Sequence, residues 1–346
     1  MFEKSKQIPK LADVARLARV STATVSRCLN TPSRVSHETR ERVMAAVNQL
    51  GYAPNFNAQA LAAKGTNTIG AVIPTMENAI FARGLQAFQE ELHQHGLTLI
   101  VASSQYQADR EEEQIRTLVA RGADALLLIG YQRSDRIQNF LKERGLPYVV
   151  SWAFDPAQDQ FAVGFDNFAA MQELAAKVIS LGHRRIAMIS ARTANNDRAL
   201  KRVQAVRTEM EQQGFDPMSL MLTETTYSIE NGASACRSFL QSSEPPTVIL
   251  CGNDVLAVGA MSAAKEMGLR VPRDLSITGF DDIELARVVE PQVSTVQVPH
   301  REMGKKAASA LVSMLGGSNS VSSQRLETKL CLRGTLAAPK SSKTKE

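Results

Sequence analysis

Over residues 8–50, apolar side chains recur every three to four positions, which places them on one face of an α-helix. The pattern predicts three short helices, at residues 11–18, 22–30 and 36–50. Residues 19–21 alone separate the first two helices, which leaves room only for a tight turn. Two short helices joined by such a turn are typical of a helix-turn-helix.

The second predicted helix carries an outward face of small and polar side chains, opposite the inward Val25 and Leu29. Small side chains permit close approach to the major groove of DNA, and an arginine can donate two hydrogen bonds to guanine. We expect base contacts from Thr22, Ala23 and Arg27. Further residues are predicted to lie near phosphates: Ser21 (also the helix cap), Thr24, Ser26 and Arg34. An ordinary three-helix domain with a polar second helix is the alternative.

Charge is unevenly distributed along the chain. Residues 1–65 hold ten Lys and Arg against four acidic residues, a net charge of +6. The whole chain has a net charge of +5, so the other 281 residues have a net charge of −1. A basic segment on a near-neutral body favours a polyanionic partner for that segment, although a solvated basic face gives the same count.

Residues 51–65, GYAPNFNAQALAAKG, form a short stretch rich in small side chains. Pro54 ends the preceding helix, and Asn55 can cap a short helix over residues 57–64. Its apolar face would comprise Ala58, Leu61 and Ala62. Isolated helices shorter than about 12–15 residues are marginal in water, so this helix packs on something or folds when a partner arrives.

Residues 67–340 alternate apolar strands with helices. Near-continuous apolar runs such as TIGAVIP, ALLLIG and TVILCG predict parallel strands covered on both faces. They form two sets, over residues 68–165 and 166–292. Ligands of such sheets bind beyond the carboxyl ends of the strands. The candidates there are Asn78, Phe81, Trp152, Arg202, Tyr227, Asn253 and Asp281.

Some of these strand-end side chains have a structural alternative. Asp166, Asn167 and Asp254 could cap the helices that follow them, and Arg202 could form an ion pair between two lobes.

Several sequence blocks, in order, resemble the lactose-repressor (LacI) family of transcription regulators. The blocks include LADVARLARVSTATVSRCLN, LGYAPNFNAQALAAKGTNTIG, GLRVPRDLSITGFDD and EPQVSTVQVPHREMG, and the resemblance covers about residues 10–335. It implies a core like that of periplasmic binding proteins, with two doubly wound lobes and a cleft between them. It implies effector contacts at Phe81, Arg202, Tyr227, Asn253 and Asp281. It also implies that Leu61 inserts between base steps in the minor groove, with Ala58 allowing two copies to approach.

The expected organisation has four parts. Residues 1–52 form a helix-turn-helix headpiece, and residues 53–66 a hinge helix. Residues 67–340 form the effector-binding and dimerisation core. Its N-lobe comprises about residues 67–165 plus a return segment after residue 291, and its C-lobe about residues 166–292 plus a final strand. Residues 341–346 are expected to be a disordered tail.

The effector hypothesis depends on one departure from the family. Several relatives place an Asp where this chain has Trp152, so their ligands cannot simply be transferred. The spellings VGFDNFAA and VPHREMG resemble the gluconate-repressor branch. We therefore expect a sugar acid whose carboxylate binds Arg202, with a neutral sugar or a nucleoside as the alternative.

Other classes of protein find little support in the sequence. Phosphate-binding GxxxxGK[ST] and GxGxxG loops and a GxSxG elbow are absent, and His93 and His95 lack the metal-binding i, i+4 spacing. We therefore expect no enzyme, metal or cofactor. The start MFEKSKQIPK lacks the apolar segment of a secretory signal, which disfavours a pure solute-binding protein. The prediction is a cytoplasmic homodimer that represses carbohydrate or sugar-acid genes from a pseudo-palindromic operator on double-stranded DNA, without membrane contact.

Overall fold

A computed structural model describes residues 9–53, 65–77, 79–318 and 321–340. The chain divides into two compact units, Met1–Thr66 and Asn67–Glu346, and each is considered by itself. The predicted hinge helix, with Asn55, Ala58 and Leu61, lies outside the described residues, as do Asn78 and the tail.

The first unit contains three α-helices, α1 (Leu11–Ala18), α2 (Thr22–Asn30) and α3 (His37–Leu50). Their shared core includes Val14, Val25 and Val43, each with no exposed surface. Arg19 ends α1 in the left-handed conformation, and Ser21 caps α2 by accepting a hydrogen bond from the Thr24 backbone N–H at 3.1 Å. The predicted helix-turn-helix is therefore confirmed.

The N-lobe of the second unit is built on a six-stranded parallel sheet in the order β11-β5-β4-β3-β1-β2. Its strands are β1 (Thr68–Ile73), β2 (Thr98–Ser103), β3 (Ala125–Ile129), β4 (Tyr148–Ser151), β5 (Ala162–Gly164) and β11 (Gln324–Arg325). The connecting helices are α4 (Ala79–Gln94), α5 (Ala108–Ala120) and α6 (Asp135–Glu143). Strands β1 and β3 are buried throughout, as expected of apolar runs with helices on both faces.

The C-lobe contains a four-stranded parallel sheet in the order β7-β6-β8-β9. Its strands are β6 (Ile186–Ala191), β7 (Met221–Thr225), β8 (Val248–Cys251) and β9 (Ser276–Thr278). Its helices are α7 (Asn167–Ser180), α8 (Asp197–Gln212), α9 (Ile229–Leu240), α10 (Asp254–Glu266) and α11 (Glu284–Val288). The predicted α/β core of two parallel-sheet lobes is thus confirmed.

The chain crosses between the lobes again near its end. Strand β10 (Thr295–Gln297) precedes helix α12 (His300–Leu315), which packs on α4 of the N-lobe. Strand β12 (Lys329–Cys331) then pairs antiparallel with β10. The chain thus packs a late helix on the N-lobe before it forms its last described strand, β12.

The sequence pattern did not predict strands β7, β10 and β11. Strand β7, MLTET, lies at an edge of its sheet and is only partly buried, so its residues do not form an apolar run. Strand β10 has only three residues and strand β11 only two. A periodicity argument needs four or more residues to detect a strand.

Helices α4 and α12 approach closely where two glycines face each other. A Cβ atom on Gly304 would lie 1.9 Å from the carbonyl oxygen of Gly84, a distance that the rigid backbone cannot accept. The absence of side chains at this crossing therefore fixes the return segment against the N-lobe.

Gly304→Ala should destabilise the core by about 1–3 kcal/mol, because overpacking outweighs the gain of about 1 kcal/mol in helix propensity. Denaturant unfolding of the core measures the change. Gly316→Ala is the matched control, because the nearest atom to its Cβ would lie at 3.5 Å. Equal stability of the Gly304 variant and wild type would contradict the close packing.

Candidate functional site

The outward face of α2 is exposed, as the sequence predicts. Thr22, Ala23 and Arg27 are exposed, while Thr24 and Ser26 are half-buried. The hydroxyl groups of Ser21 and Thr24 lie 2.9 Å apart within the helix cap. Arg34 is exposed at the end of a 3₁₀ turn, Pro32–Arg34. The helix thus presents small side chains near its N-terminus, followed one turn later by a cation.

A second candidate site lies in the cleft between the two lobes of the core. Eleven residues line one cavity of about 20 Å³, and they lie in the loops or the first two helical turns that follow the strands: Ile80, Phe81, Tyr106, Trp152, Phe165, Asn167, Asn196, Arg198, Arg202, Tyr227 and Asp281. A cavity of this volume holds about one water molecule. The strand order of both sheets places the carboxyl ends of these strands at the crevice where ligands of doubly wound folds bind.

Arg202 is the central cation of the cavity, with only 7% of its surface exposed. One guanidinium nitrogen, Nη1, donates to Asn167 Oδ1 at 3.2 Å, and Nη2 donates to the Tyr227 hydroxyl at 3.0 Å. The guanidinium lies 4.7 Å from the ring centre of Phe280. None of the ion pairs among the described residues includes Arg202, and its Nε has no hydrogen-bond partner there. The lobe-bridging ion pair considered from the sequence is therefore not formed.

Trp152 forms one wall of the cavity in a strained backbone conformation. Its φ of 59° lies in the left-handed region, which bulky side chains rarely adopt. The ring lies 5.4 Å from Phe81 and stacks on His300 at 6.5 Å. A Cβ on Gly84 would lie 2.4 Å from this ring, so the glycine provides the space for it. The indole Nε1 is buried and has no acceptor among the described residues.

Two adjacent carboxyl groups, Asp281 and Asp282, have opposite environments. Burial raises the pKa of Asp281 to about 7, against the opposing charge of Arg202. Burial also disfavours ionisation of Asp282, but hydrogen bonds from Arg287 and Arg333 outweigh it and lower its pKa. Only Asp281 lines the cavity, whereas Asp282 binds Arg287 of α11 and Arg333, which lies just after β12.

His300 lies behind the cavity wall. Its Nε2 is 3.9 Å from Asp281 Oδ1. Burial lowers the pKa of His300 to about 4, with the charge of Arg83 adding to the effect. The imidazole is therefore neutral at pH 7, and its contact with Asp281 is not an ion pair.

Not every predicted strand-end residue reaches the cavity. Asn253 is buried and caps α10, its Oδ1 accepting from the Leu256 backbone N–H at 2.9 Å, and it does not line the cavity. Asp166 likewise caps α7. Asp254 accepts from the Ile283 backbone and from the Thr295 hydroxyl, which is a structural role rather than a cap.

Five cavity residues were not predicted: Ile80, Tyr106, Phe165, Asn196 and Arg198. They lie in loops or at element ends after β1, β2, β5 and β6, so the same strand-end rule could have found them. Asn167, for which capping was an alternative, lines the cavity and binds Arg202.

Two negative observations hold for the part of the chain that the structure describes. It contains no helix that combines the length and the apolar character of a membrane span. It also contains no group of three or more His, Cys, Asp or Glu side chains placed to hold a metal ion.

Comparison with known proteins yields matches along most of the chain. A family model described as bacterial regulatory proteins, lacI family, matches residues 10–55, and one for a periplasmic binding protein-like domain matches residues 175–336. The ribose operon repressor of Haemophilus influenzae is 34% identical over 89% of this chain and 92% of its own. The HTH-type transcriptional regulator GntR of Escherichia coli is 31% identical over 91% of this chain and 94% of its own.

Solved structures show the same architecture. A LacI-family transcriptional regulator from Silicibacter pomeroyi matches with a TM-score of 0.88 at 26% identity, covering 95% of this chain and 99% of its own. The lac repressor dimer bound to operator and the anti-inducer ONPF matches with a TM-score of 0.83 at 26% identity, covering 96% and 100%. These matches do not select one effector.

Asp281→Asn should stabilise the core increasingly as the pH rises from about 4 to about 7. The wild-type Asp281 carboxyl has a raised pKa in the folded state. Its contribution to the free energy of unfolding is therefore present at low pH and lost as the pH rises through about 7. The gain should reach roughly 2–4 kcal/mol and then stay constant. Denaturant unfolding across this pH range measures it.

The adjacent Asp282→Asn variant is the control, because its carboxyl has a lowered pKa. It should lose stability at neutral pH and approach wild type only as the pH falls below the pKa of an unfolded aspartate. Stabilisation by both variants, or by neither, would show that the two carboxyl groups do not differ in this way.

Proposed function

The chain belongs to the LacI family of bacterial regulatory proteins, and we propose that it represses genes of carbohydrate or sugar-acid use under the control of a small molecule. It is a DNA-binding transcriptional regulator with an effector-binding core. We place it in the cytoplasm, where its DNA target lies. The relatives are regulators rather than enzymes, and we assign no catalytic activity.

DNA recognition is assigned to the exposed face of α2. Thr22 and Ala23 allow the N-terminal part of the helix to approach base edges, and Arg27 reads a guanine. Ser21, Thr24, Ser26 and Arg34 serve the phosphates. The +6 charge of residues 1–65 supports this assignment, since phosphate neutralisation supplies much of the affinity for DNA.

A homodimer provides the second half of the interface. One short recognition helix contacts few base pairs, and a two-fold dimer reads a pseudo-palindromic operator. The lac repressor structure, in which a dimer is bound to operator, supports this arrangement. The hinge at residues 53–66, with Asn55, Ala58 and Leu61, is assigned to the minor groove on the family resemblance alone.

We assign the effector to the cavity between the lobes. Two hydrogen-bond donors in the cavity wall have no partner in the described chain, and this supports a sugar acid as the effector. Arg202 Nε and Trp152 Nε1 are both buried without an acceptor among the described residues. Burying a donor without a partner costs roughly 1–3 kcal/mol, so a ligand rich in acceptors relieves this cost.

The charges in the cavity also favour an anion. Arg198 is balanced by Asp197 at 2.9 Å, whereas Arg202 has no such partner in the described chain. Asp281, with its raised pKa, can donate a proton to a ligand oxygen as well as accept one from a hydroxyl. A carboxylate on Arg202 with hydroxyl groups near Asp281 satisfies both, and the rings of Phe81, Trp152 and Tyr227 suit the carbon skeleton.

Effector binding requires the lobes to separate first, because the cavity of about 20 Å³ is smaller than any sugar. Asn78, Phe81, Trp152, Arg202, Tyr227, Asn253 and Asp281 are retained as the proposed effector set. Within this set, Asn253 does not line the cavity, and Asn78 lies outside the described residues. A change in lobe spacing that orders or disorders the hinge would transmit binding to DNA.

Arg27→Ala should weaken operator binding by about 1–3 kcal/mol and relax specificity at one base pair. Mobility-shift titrations with the operator and with random DNA measure both effects. Arg16→Ala is the matched control, since it removes one exposed charge from α1. An equal loss on both DNAs in the Arg27 variant would instead make it a phosphate contact.

Arg202→Met should lower gluconate affinity by about ten- to a hundredfold, because a charged hydrogen-bonding partner contributes about 1.5–3 kcal/mol. Arg202→Lys keeps the charge but loses the planar fork, so its loss should be smaller. Calorimetric titration of the purified chain measures the affinities. Binding of a neutral sugar or a nucleoside, without binding of any sugar acid, would overturn the proposed effector class.

A further inference from the structure

A larger cavity adjoins the effector cleft. It encloses about 250 Å³, compared with about 20 Å³ in the cleft itself. Pockets for drug-sized molecules measure about 300–1,000 Å³, so this chamber suits a group of about one sugar ring.

The chamber has aromatic walls and a charged mouth. Tyr131, Phe154 and Phe168 line it, each only partly buried. The ion pair between Asp155 of the N-lobe and Lys201 of the C-lobe, at 3.3 Å, lies at its edge. Aromatic faces combined with a few polar groups are typical of sites for ring-shaped ligands.

The chamber and the cleft share lining residues, so they are neighbouring cavities. Asn167 and Arg198 line both cavities. Asn167 also binds Arg202, which places the proposed carboxylate site next to the chamber. The cations that line it, Arg198 and Lys201, are each paired with an aspartate, which leaves the chamber little charge of its own for a second anionic group.

We infer that the chamber is a second subsite of the effector site and holds an uncharged ring that is linked to an acidic sugar in the cleft. The effector is then a sugar acid linked to a further sugar ring, rather than a sugar acid alone. This inference rests on the proposed function for the acidic part, but the ring subsite can be tested separately from it.

The test is calorimetric titration of the full chain with probes that differ by one ring. Gluconate is compared with lactobionate and maltobionate, which are gluconate carrying a β-linked or an α-linked hexose. Wild type should bind one of the two-ring acids at least about tenfold more tightly than gluconate, with one molecule per chain.

Phe154→Ala should abolish this preference and leave gluconate affinity within about twofold. Phe140→Ala is the matched control, because Phe140 is a half-buried phenylalanine of the same lobe that lines neither cavity. It should keep the preference. Phe168→Ala is a second variant, which repeats the test at another wall should the Phe154 variant fold poorly.

Equal affinity for one-ring and two-ring acids in wild type would overturn the inference, as would a preference that survives both wall variants. Two gluconate molecules per chain would show a separate second ligand and would also overturn it. Glucose and lactose, which have no carboxylate, distinguish the two proposals. If only these neutral sugars bind, and the Phe154→Ala variant loses a preference for lactose over glucose, the ring subsite is supported and the sugar-acid assignment is wrong. Absence of binding by every probe overturns the inference.

Discussion

The buried guanidinium of Arg202 is the constraint around which the cleft is arranged. A charge with 7% exposure, to which no carboxylate of the described residues is bound, is costly unless its surroundings compensate. Asn167 and Tyr227 satisfy its terminal nitrogens, and Phe280 lies against its face. Asn167 also donates to the Trp152 backbone oxygen at 3.0 Å, so one amide fixes both the cation and the strained wall.

Two neighbouring carboxyl groups show how the same residue type serves two purposes in this core. Asp282 is ionised and binds Arg287 of α11, Gln297 of β10 and Arg333, which lies just after β12. Asp281 faces the cavity, and burial raises its pKa. Structural ion pairing and an adjustable ligand contact are thus separated by one peptide bond.

Much of this fold could be predicted from the sequence because its signals are local and strong. Apolar runs give the buried strands, and the three-residue turn gives the helix-turn-helix. Strand β7 was missed because edge strands carry polar residues, as its Thr223 and Glu224 illustrate. For the cavity, the strand-end rule named Phe81, Trp152, Arg202, Tyr227 and Asp281, and the structure brings all five to one cavity. It could not separate Asn253, which caps a helix, from a ligand contact, because both roles need a polar residue at the same position. His300 could not be found this way, since it reaches Asp281 only through the return of α12 to the N-lobe.

Trp152 is the single tryptophan of the chain, and it lies in the wall of the cleft. Its emission therefore arises from one place only, between Phe81 and the neutral imidazole of His300. An indole that passes from this dry setting to water shifts its fluorescence to longer wavelength. The protein thus contains its own optical probe of lobe separation, which needs no label and gives no signal from the DNA-binding headpiece.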